Sequence, residues 1–120
     1  MRSVLRAAGL SDRWMSALRE ARSTVTSNLD GAEGRRWIVT TARSEYWFDL
    51  VAMTVRRFPG PAAHRSMHDR TRSILEIKMC TVGQSGYWLM RTEGRDSELF
   101  ENYWQLTTPI VSIRPIPDED

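Results

Sequence analysis

The chain has 120 residues, of which 41% are hydrophobic and 27% are charged. This composition fits a single globular domain over residues 1–120 and excludes intrinsic disorder as the dominant state. The longest apolar runs have three or four residues, far fewer than the roughly 20 that a membrane helix needs. The N-terminus also lacks the apolar centre of a signal peptide. Cys80 is the only cysteine, which excludes an internal disulfide, and we therefore expect an intracellular protein.

The charged residues are distributed unevenly. Residues 1–92 carry 15 Arg and Lys against 8 Asp and Glu, a net charge of +7, whereas residues 93–120 carry 2 against 7, a net charge of −5. All but one of the 17 basic residues are arginines, which is typical of GC-rich coding and also suits phosphate recognition. This distribution indicates one of two arrangements: the acidic C-terminal end complements the basic body, or the basic body binds an anionic partner that the acidic end repels.

Residues 1–30 have the pattern of a helical segment. Residues 2–8 fit a short helix ended by Gly9, and Ser11 is a typical N-cap for a second helix. The apolar residues of that second helix fall on one face: Trp14, Leu18, Ala21 and Val25. The segment faintly resembles a helix-turn-helix, but its first helix is barely two turns long. We therefore favour a helical hairpin packed on a sheet.

From residue 36 to residue 114 the hydrophobic period changes to two, which predicts an antiparallel β region. The predicted strands cover 36–42, 45–50, 54–58, 74–79, 87–91 and 109–117. Alternation in the second strand places Tyr46, Phe48 and Leu50 toward the core and Trp47 on the opposite face. Residues 59–73 form a long polar loop, and residues 96–106 fit either a short helix or an irregular arm.

These elements predict an α+β domain. Its N-terminal helical segment, residues 1–30, would pack on a strongly twisted antiparallel sheet of five or six strands that could curl into a small barrel. Residues 115–120 would be an acidic tail, in which residues 118–120 would be frayed. An open sheet has edges, and homo-oligomerisation through one of them is plausible.

Two patterns raise catalytic alternatives. His64 and His68 are four residues apart with Asp69 alongside, the spacing of two metal ligands on a helix, but they fall in a predicted loop and lack the general-base glutamate of such motifs. Cys80 could be a nucleophile, but nothing around it indicates a lowered thiol pKa, and a small buried apolar role is favoured. We therefore predict no catalytic residues, no metal and no cofactor.

The interleaving of basic and aromatic residues is the strongest functional pattern. If the first three strands are neighbours, it would give a face that contacts phosphates through arginines and stacks a base on a tryptophan. The alternative is that the arginines only solvate an exposed sheet face and that Trp47 packs under the N-terminal helix. The candidate nucleic-acid-binding residues are Arg35, Arg36, Trp47, Arg56, Arg57, Arg70 and Arg72.

The strand region resembles small accessory proteins of actinobacterial bacteriophages and integrated mobile elements. The residues that carry the resemblance span 37 to 113 and are Trp37, Val39, Thr41, Tyr46, Asp49, Leu50, Thr54, Arg57, Pro59, Gly60, Val82, Gly83, Thr108, Pro109, Val111 and Ile113. The resemblance implies a scaffold of a hairpin and further strands, and it carries over no active-site residue. Residues 1–30 lie outside it.

We therefore expect a non-enzymatic phage accessory protein in the cytoplasm of the host cell, without membrane association. The first hypothesis is nucleic-acid binding through the basic and aromatic sheet face. The alternative is a protein-binding factor that inhibits or redirects a host protein, with exposed aromatic side chains as its anchors.

Overall fold

Residues 26–117, which the computed structural model describes, form a closed barrel of six antiparallel strands. Each strand pairs with the next one along the chain, and the sixth pairs with the first. The elements are β1 Arg36–Thr41, β2 Ser44–Asp49, β3 Thr54–Pro59, β4 Arg72–Met79, β5 Ser85–Met90, α1 Asp96–Leu99 and β6 Tyr103–Pro115. Every strand therefore has a paired neighbour on both sides, but β3 and β4 are joined by only two residue pairs, Thr54 with Ser73 and Val55 with Arg72.

The predicted α+β class is wrong for this region, because α1, of four residues, is the only helix among residues 26–117. The prediction of an antiparallel sheet with five or six strands is confirmed, and the sheet has six. Closure explains the difference, since a sheet curled on itself covers its own apolar face. The predicted helices at residues 2–8 and 11–25 lie outside the described residues. The remaining residues of the segment, 26–30, are not helical, and Asn28 pairs with Thr81.

Strand β6 closes the barrel because it serves two neighbours in turn. Its first part pairs with β5, from Tyr103 opposite Met90 to Pro109 opposite Ser85. Its second part pairs with β1, including Ile113 opposite Val39. The helix or irregular arm predicted over 96–106 therefore does not extend to residue 106, because residues 103–106 are the first residues of β6.

The barrel interior is packed around Trp88, which is fully buried on β5. Its ring meets Tyr46 and Phe48 of β2 edge to face, with ring centroids 5.1 Å and 4.8 Å apart. Such contacts stabilise aromatic pairs by about 0.5–1.5 kcal/mol beyond the burial of their area. The sequence-based placement of Tyr46, Phe48 and Leu50 in the core is confirmed.

Gly86 lies against this ring. A Cβ atom at position 86 would be 2.6 Å from Cζ3 of Trp88 and 3.2 Å from both Cδ1 of Ile110 and Oγ1 of Thr107. A side chain at position 86 would therefore displace the tryptophan at the centre of the barrel.

We expect Gly86→Ala to lower the free energy of unfolding by about 1–3 kcal/mol, because overpacking forces Trp88 out of its position. Urea unfolding followed by far-UV circular dichroism measures the change. The matched control is Ser85→Ala at the preceding, exposed position, for which we expect a change within about 0.5 kcal/mol. Equal stability of the two variants would contradict the packing of Trp88 against Gly86.

Candidate nucleic-acid interface

Trp47 lies on the outer face of the barrel, because alternation along β2 points it away from Tyr46 and Phe48. Its side chain is 40% exposed, as the sequence predicted. In the sheet Trp47 is opposite Arg56 of β3 and Ile38 of β1. The outer face of the first three strands therefore presents a tryptophan next to an arginine.

Phe58 completes an aromatic pair on this surface. Its ring centroid is 5.1 Å from that of Trp47, and the Arg56 guanidinium is 4.6 Å from the Phe58 centroid. The sequence-based site left Phe58 out. Its position could have been found from the sheet, since residues two apart on one strand share a face and Phe58 is diagonal to Trp47.

These side chains border a shallow groove of about 460 Å³, counting its open side. Arg36 and Asp49 lie at one side of the groove, with Thr54, Thr71 and Ile116 in its walls. We define the outer groove by Arg36, Trp47, Arg56 and Phe58. It brings together three of the seven residues predicted from the sequence.

The two carboxylates near the outer groove are already engaged. Glu45 accepts a hydrogen bond from Trp47 Nε1 at 3.2 Å and lies 3.8 Å from Arg114 Nη2. Asp49 Oδ1 accepts from the backbone N–H groups of Val51 and Ala52 at 3.0 and 2.9 Å, which braces the turn after β2. The hydrogen bond to Glu45 therefore fixes the edge of the indole, whose side chain remains 40% exposed.

Arg57 and Arg72 lie elsewhere, although both were predicted to contact phosphates. Arg57 faces inward and binds the loop of residues 60–71, with Nη1 at 2.7 Å from Asp69 Oδ1 and 3.0 Å from the His64 carbonyl oxygen. Arg72 is 5% exposed and contacts Glu93, the Met67 carbonyl oxygen and the ring of Tyr103. These two arginines hold the loop on the barrel, so they do not belong to the candidate interface.

Arg35 and Arg70 are exposed but do not line the outer groove. The Arg35 guanidinium lies 5.8 Å from the ring of Trp37. Arg70 is at the end of the 60–71 loop, just before Thr71, which is part of the groove wall. They can extend a positively charged border but do not build the groove.

The residues considered for catalysis are also placed in structural roles. Asp69 is paired with Arg57, and residues 26–117 contain no group of three or more His, Cys, Asp or Glu arranged to hold a metal. Cys80 is buried, and burial raises its thiol pKa to about 12, so the nucleophilic thiolate is scarce at neutral pH. This agrees with the predicted apolar role of Cys80.

His68 is a partly buried member of the 60–71 loop. Its ring lies 6.0 Å from that of Tyr103, and its Nδ1 has no hydrogen-bond partner among the described residues. Burial lowers the pKa of His68 below its ordinary value of 6.5, and the nearby charges of Arg72 and Arg57 lower it further. Protonation of His68 therefore favours the unfolded chain.

We expect stability to be greatest above the ordinary histidine pKa and to fall as the pH drops from about 7.5 to about 5.5, because the unfolded chain takes up the proton first. Urea unfolding at the two pH values measures the difference. His68→Gln should reduce this difference, whereas His64→Gln, on the exposed part of the same loop, should leave it unchanged. If His64→Gln reduces the difference and His68→Gln leaves it unchanged, His68 is not the group responsible.

The fold and surface define a small closed antiparallel barrel with a basic and aromatic outer groove. No family model, curated protein or solved structure matches this chain. Within residues 26–117, no helix has the length and apolar character needed to cross a membrane.

Proposed function

We propose that this protein is a non-enzymatic binding protein whose outer groove binds single-stranded nucleic acid. The observation that carries the proposal is the pairing of the exposed Trp47 with the half-buried Phe58, with Arg56 against Phe58 and Arg36 in the lining of the same groove. Aromatic rings stack with bases of any sequence, and arginines neutralise the phosphates that follow them.

A single strand suits this surface better than a duplex. Reading a duplex requires a helix or ribbon that protrudes into a groove of the DNA. The outer groove is instead lined by side chains of β1, β2 and β3 and is shallow. Bases of a single strand are free to leave their own stack and lie on Trp47, as happens on the barrel faces of other single-strand-binding folds.

The small net charge of residues 26–117 favours attraction of nucleic acid by individual arginines rather than by the charge of the whole domain. Residues 26–117 contain 12 Arg and Lys and 10 Asp and Glu, a net charge of 12 − 10 = +2. Ion pairs to Asp69, Glu93 and Glu45 engage three of the arginines, Arg57, Arg72 and Arg114. Binding in the outer groove therefore depends on a few phosphate contacts and on stacking, so its salt dependence should be modest.

The resemblance of the strand region to phage and mobile-element proteins supports an accessory role inside the host cell. A barrel that binds single strands without sequence preference would act on replication or recombination intermediates, or on transcripts. We place the protein in the host cytoplasm on the same grounds.

We expect Trp47→Ala to weaken binding to a fluorescein-labelled oligo(dT) by about tenfold or more, because stacking contributes about 1–3 kcal/mol per base. Arg56→Ala should lower the slope of log affinity against log salt by about 0.7, the value for one phosphate contact on a single strand. Fluorescence anisotropy at several salt concentrations measures both quantities.

The matched control is Arg91→Ala, an exposed arginine at the end of β5 that does not line the outer groove. It should keep the wild-type affinity and slope. Circular dichroism of each variant separates loss of binding from loss of fold. If oligo(dT) does not bind at low salt, or if Arg91→Ala weakens binding as much as Arg56→Ala, nucleic-acid binding by this groove is wrong.

A second candidate function is binding to a host protein, and a different surface favours it. The outer faces of β4, β5 and β6 bring Met79, Tyr87 and Leu106 into one row and place Leu89 opposite Trp104 in the next. Trp104 and Leu106 are 60% and 64% exposed. Exposed apolar patches of this kind are typical of protein interfaces, where tryptophan and tyrosine are frequent anchors.

We expect Trp104→Ala to abolish capture of such a partner from an actinobacterial cell extract, while Trp47→Ala retains it, because only Trp104 is on the apolar face. Crosslinking followed by mass spectrometry identifies what each variant retains. A partner lost equally from both variants would contradict an interface on this face. Sedimentation of the purified protein shows whether the captured species is a second copy of the chain.

A further inference from the structure

The second half of β4 extends beyond the strand that should cover its side. Strand β3 pairs with β4 only at the beginning of β4. Beyond that point, the Ile74 N–H group donates to the Met53 carbonyl oxygen at 2.8 Å, and the Leu29 N–H group donates to the Cys80 carbonyl oxygen at 2.9 Å. Between these two bonds, the backbone groups of residues 75–79 pair with β5 and with nothing else among residues 26–117. We call residues 75–79 the β4 edge.

A free strand edge presents backbone N–H and C=O groups that can pair with a strand of another chain. In such pairing the main chain supplies the hydrogen bonds, and the side chains decide which strand fits. The outer side chains of the β4 edge are all exposed: Leu75, Glu76, Lys78 and Met79. Ile77, between them, is buried in the core.

The burial pattern along this part of β4 is symmetric about Ile77. The two residues on either side of it are exposed, and the next residues outward, Ile74 and Cys80, are buried. Two copies of the β4 edge can therefore lie antiparallel about a two-fold axis at Ile77. This register places exposed positions opposite exposed positions and buried positions opposite buried ones.

The charges of the edge are complementary in the same register. Glu76 lies opposite Lys78 of the second copy, and by symmetry Lys78 lies opposite Glu76. Within one chain these two side chains already form an ion pair, with Lys78 Nζ 3.1 Å from Glu76 Oε1. Across the two-fold axis the four charges alternate in sign, so each charge gains a second neighbour of opposite sign. Opposite charges at facing positions stabilise antiparallel strand pairs.

Other strands fit this edge less well. The register of β4 with β5 is irregular between Ile74 and Glu76 and again between Ile77 and Met79, and bulges of this kind bend and twist a strand. Bulges and an edge lysine also discourage pairing with arbitrary strands. A second copy has the same bend and the complementary order of charges, whereas an unrelated strand has neither by default.

The apolar outer face of β4, β5 and β6 reaches the β4 edge. Met79 belongs to the row that continues through Tyr87 and Leu106. In the two-fold register, Leu75 of the second copy lies opposite Met79 and extends this row. The contact therefore covers exposed apolar side chains as well as pairing the backbone and the charges.

We propose that the protein forms a symmetric dimer in which residues 75–79 pair antiparallel with the same residues of a second copy. The sheet then continues from β5 and β4 of one barrel into β4 and β5 of the other. No residue that lines the outer groove belongs to the β4 edge, so this proposal does not rest on nucleic-acid binding.

Charge reversal tests both the edge and the register. Sedimentation velocity of the full-length chain, at about 1–100 µM, measures the dimer dissociation constant. We expect Lys78→Glu and Glu76→Lys each to weaken the dimer about tenfold or more, because symmetry brings like charges together twice. An equimolar mixture of the two variants should form a heterodimer about as tight as the wild-type dimer, since every facing pair is again of opposite sign.

The matched controls are Arg65→Glu on the 60–71 loop and Glu98→Lys on α1, which make the same changes of charge at exposed positions away from β4. Both should dimerise like the wild type. Circular dichroism of each variant separates loss of the dimer from loss of the fold.

The proposal is overturned if the wild type remains monomeric over the whole concentration range, or if Lys78→Glu and Glu76→Lys dimerise as tightly as the wild type. It is also overturned if each variant is monomeric and their mixture forms no heterodimer. A dimer that survives both charge reversals and is lost in Trp104→Ala uses the apolar outer face instead of the β4 edge.

Discussion

The packing of Trp88 inside the barrel is the interaction on which the rest of the structure depends. Its indole ring contacts aromatic side chains of β2 on one side and lies over Gly86 on the other. Loss of a buried tryptophan typically costs about 3–5 kcal/mol, a large part of the stability of a domain this small. Once this ring fills the interior, the inward positions of each strand are fixed. The outward positions are then free to bind a partner, which is why Trp47, next to two core residues, can be functional.

Alternation along β1, β2 and β3 made their inward and outward faces predictable, because the side-chain period of a strand is local information. Closure into a small barrel was one of the expected outcomes, but it could not be established from the sequence in the same way. It depends on pairing residues 37–41 with 110–115, a contact between distant parts of the chain for which no short pattern exists. The first part of β6 was ambiguous for another reason. Leu99 and Tyr103 fit a helix, whereas Tyr103 and Thr107 fit the inner face of a strand, and only the neighbouring β5 selects the strand.

The sequence predicted only part of the candidate site, and the same physical reasons explain which part. Arg56 and Arg57 are adjacent in the sequence and were therefore assigned to the same interface. The period of two along β3 places Arg56 outside and Arg57 inside, so the pattern of the strand already indicated that only Arg56 faces outward. The position of Arg72, in contrast, could not be read from strand alternation. It depends on Glu93, on the Met67 carbonyl oxygen and on the ring of Tyr103. These partners are brought together by the fold alone.

The 60–71 loop borders both proposed binding faces. Thr71 lies in the wall of the outer groove, and Met67 is exposed close to Trp104, beside the apolar outer face of β4, β5 and β6. The loop is held on the barrel mainly through Arg57 and Arg72, with only two residue pairs joining β3 to β4 beneath it. A change in the position of this loop would therefore alter the borders of both proposed binding faces.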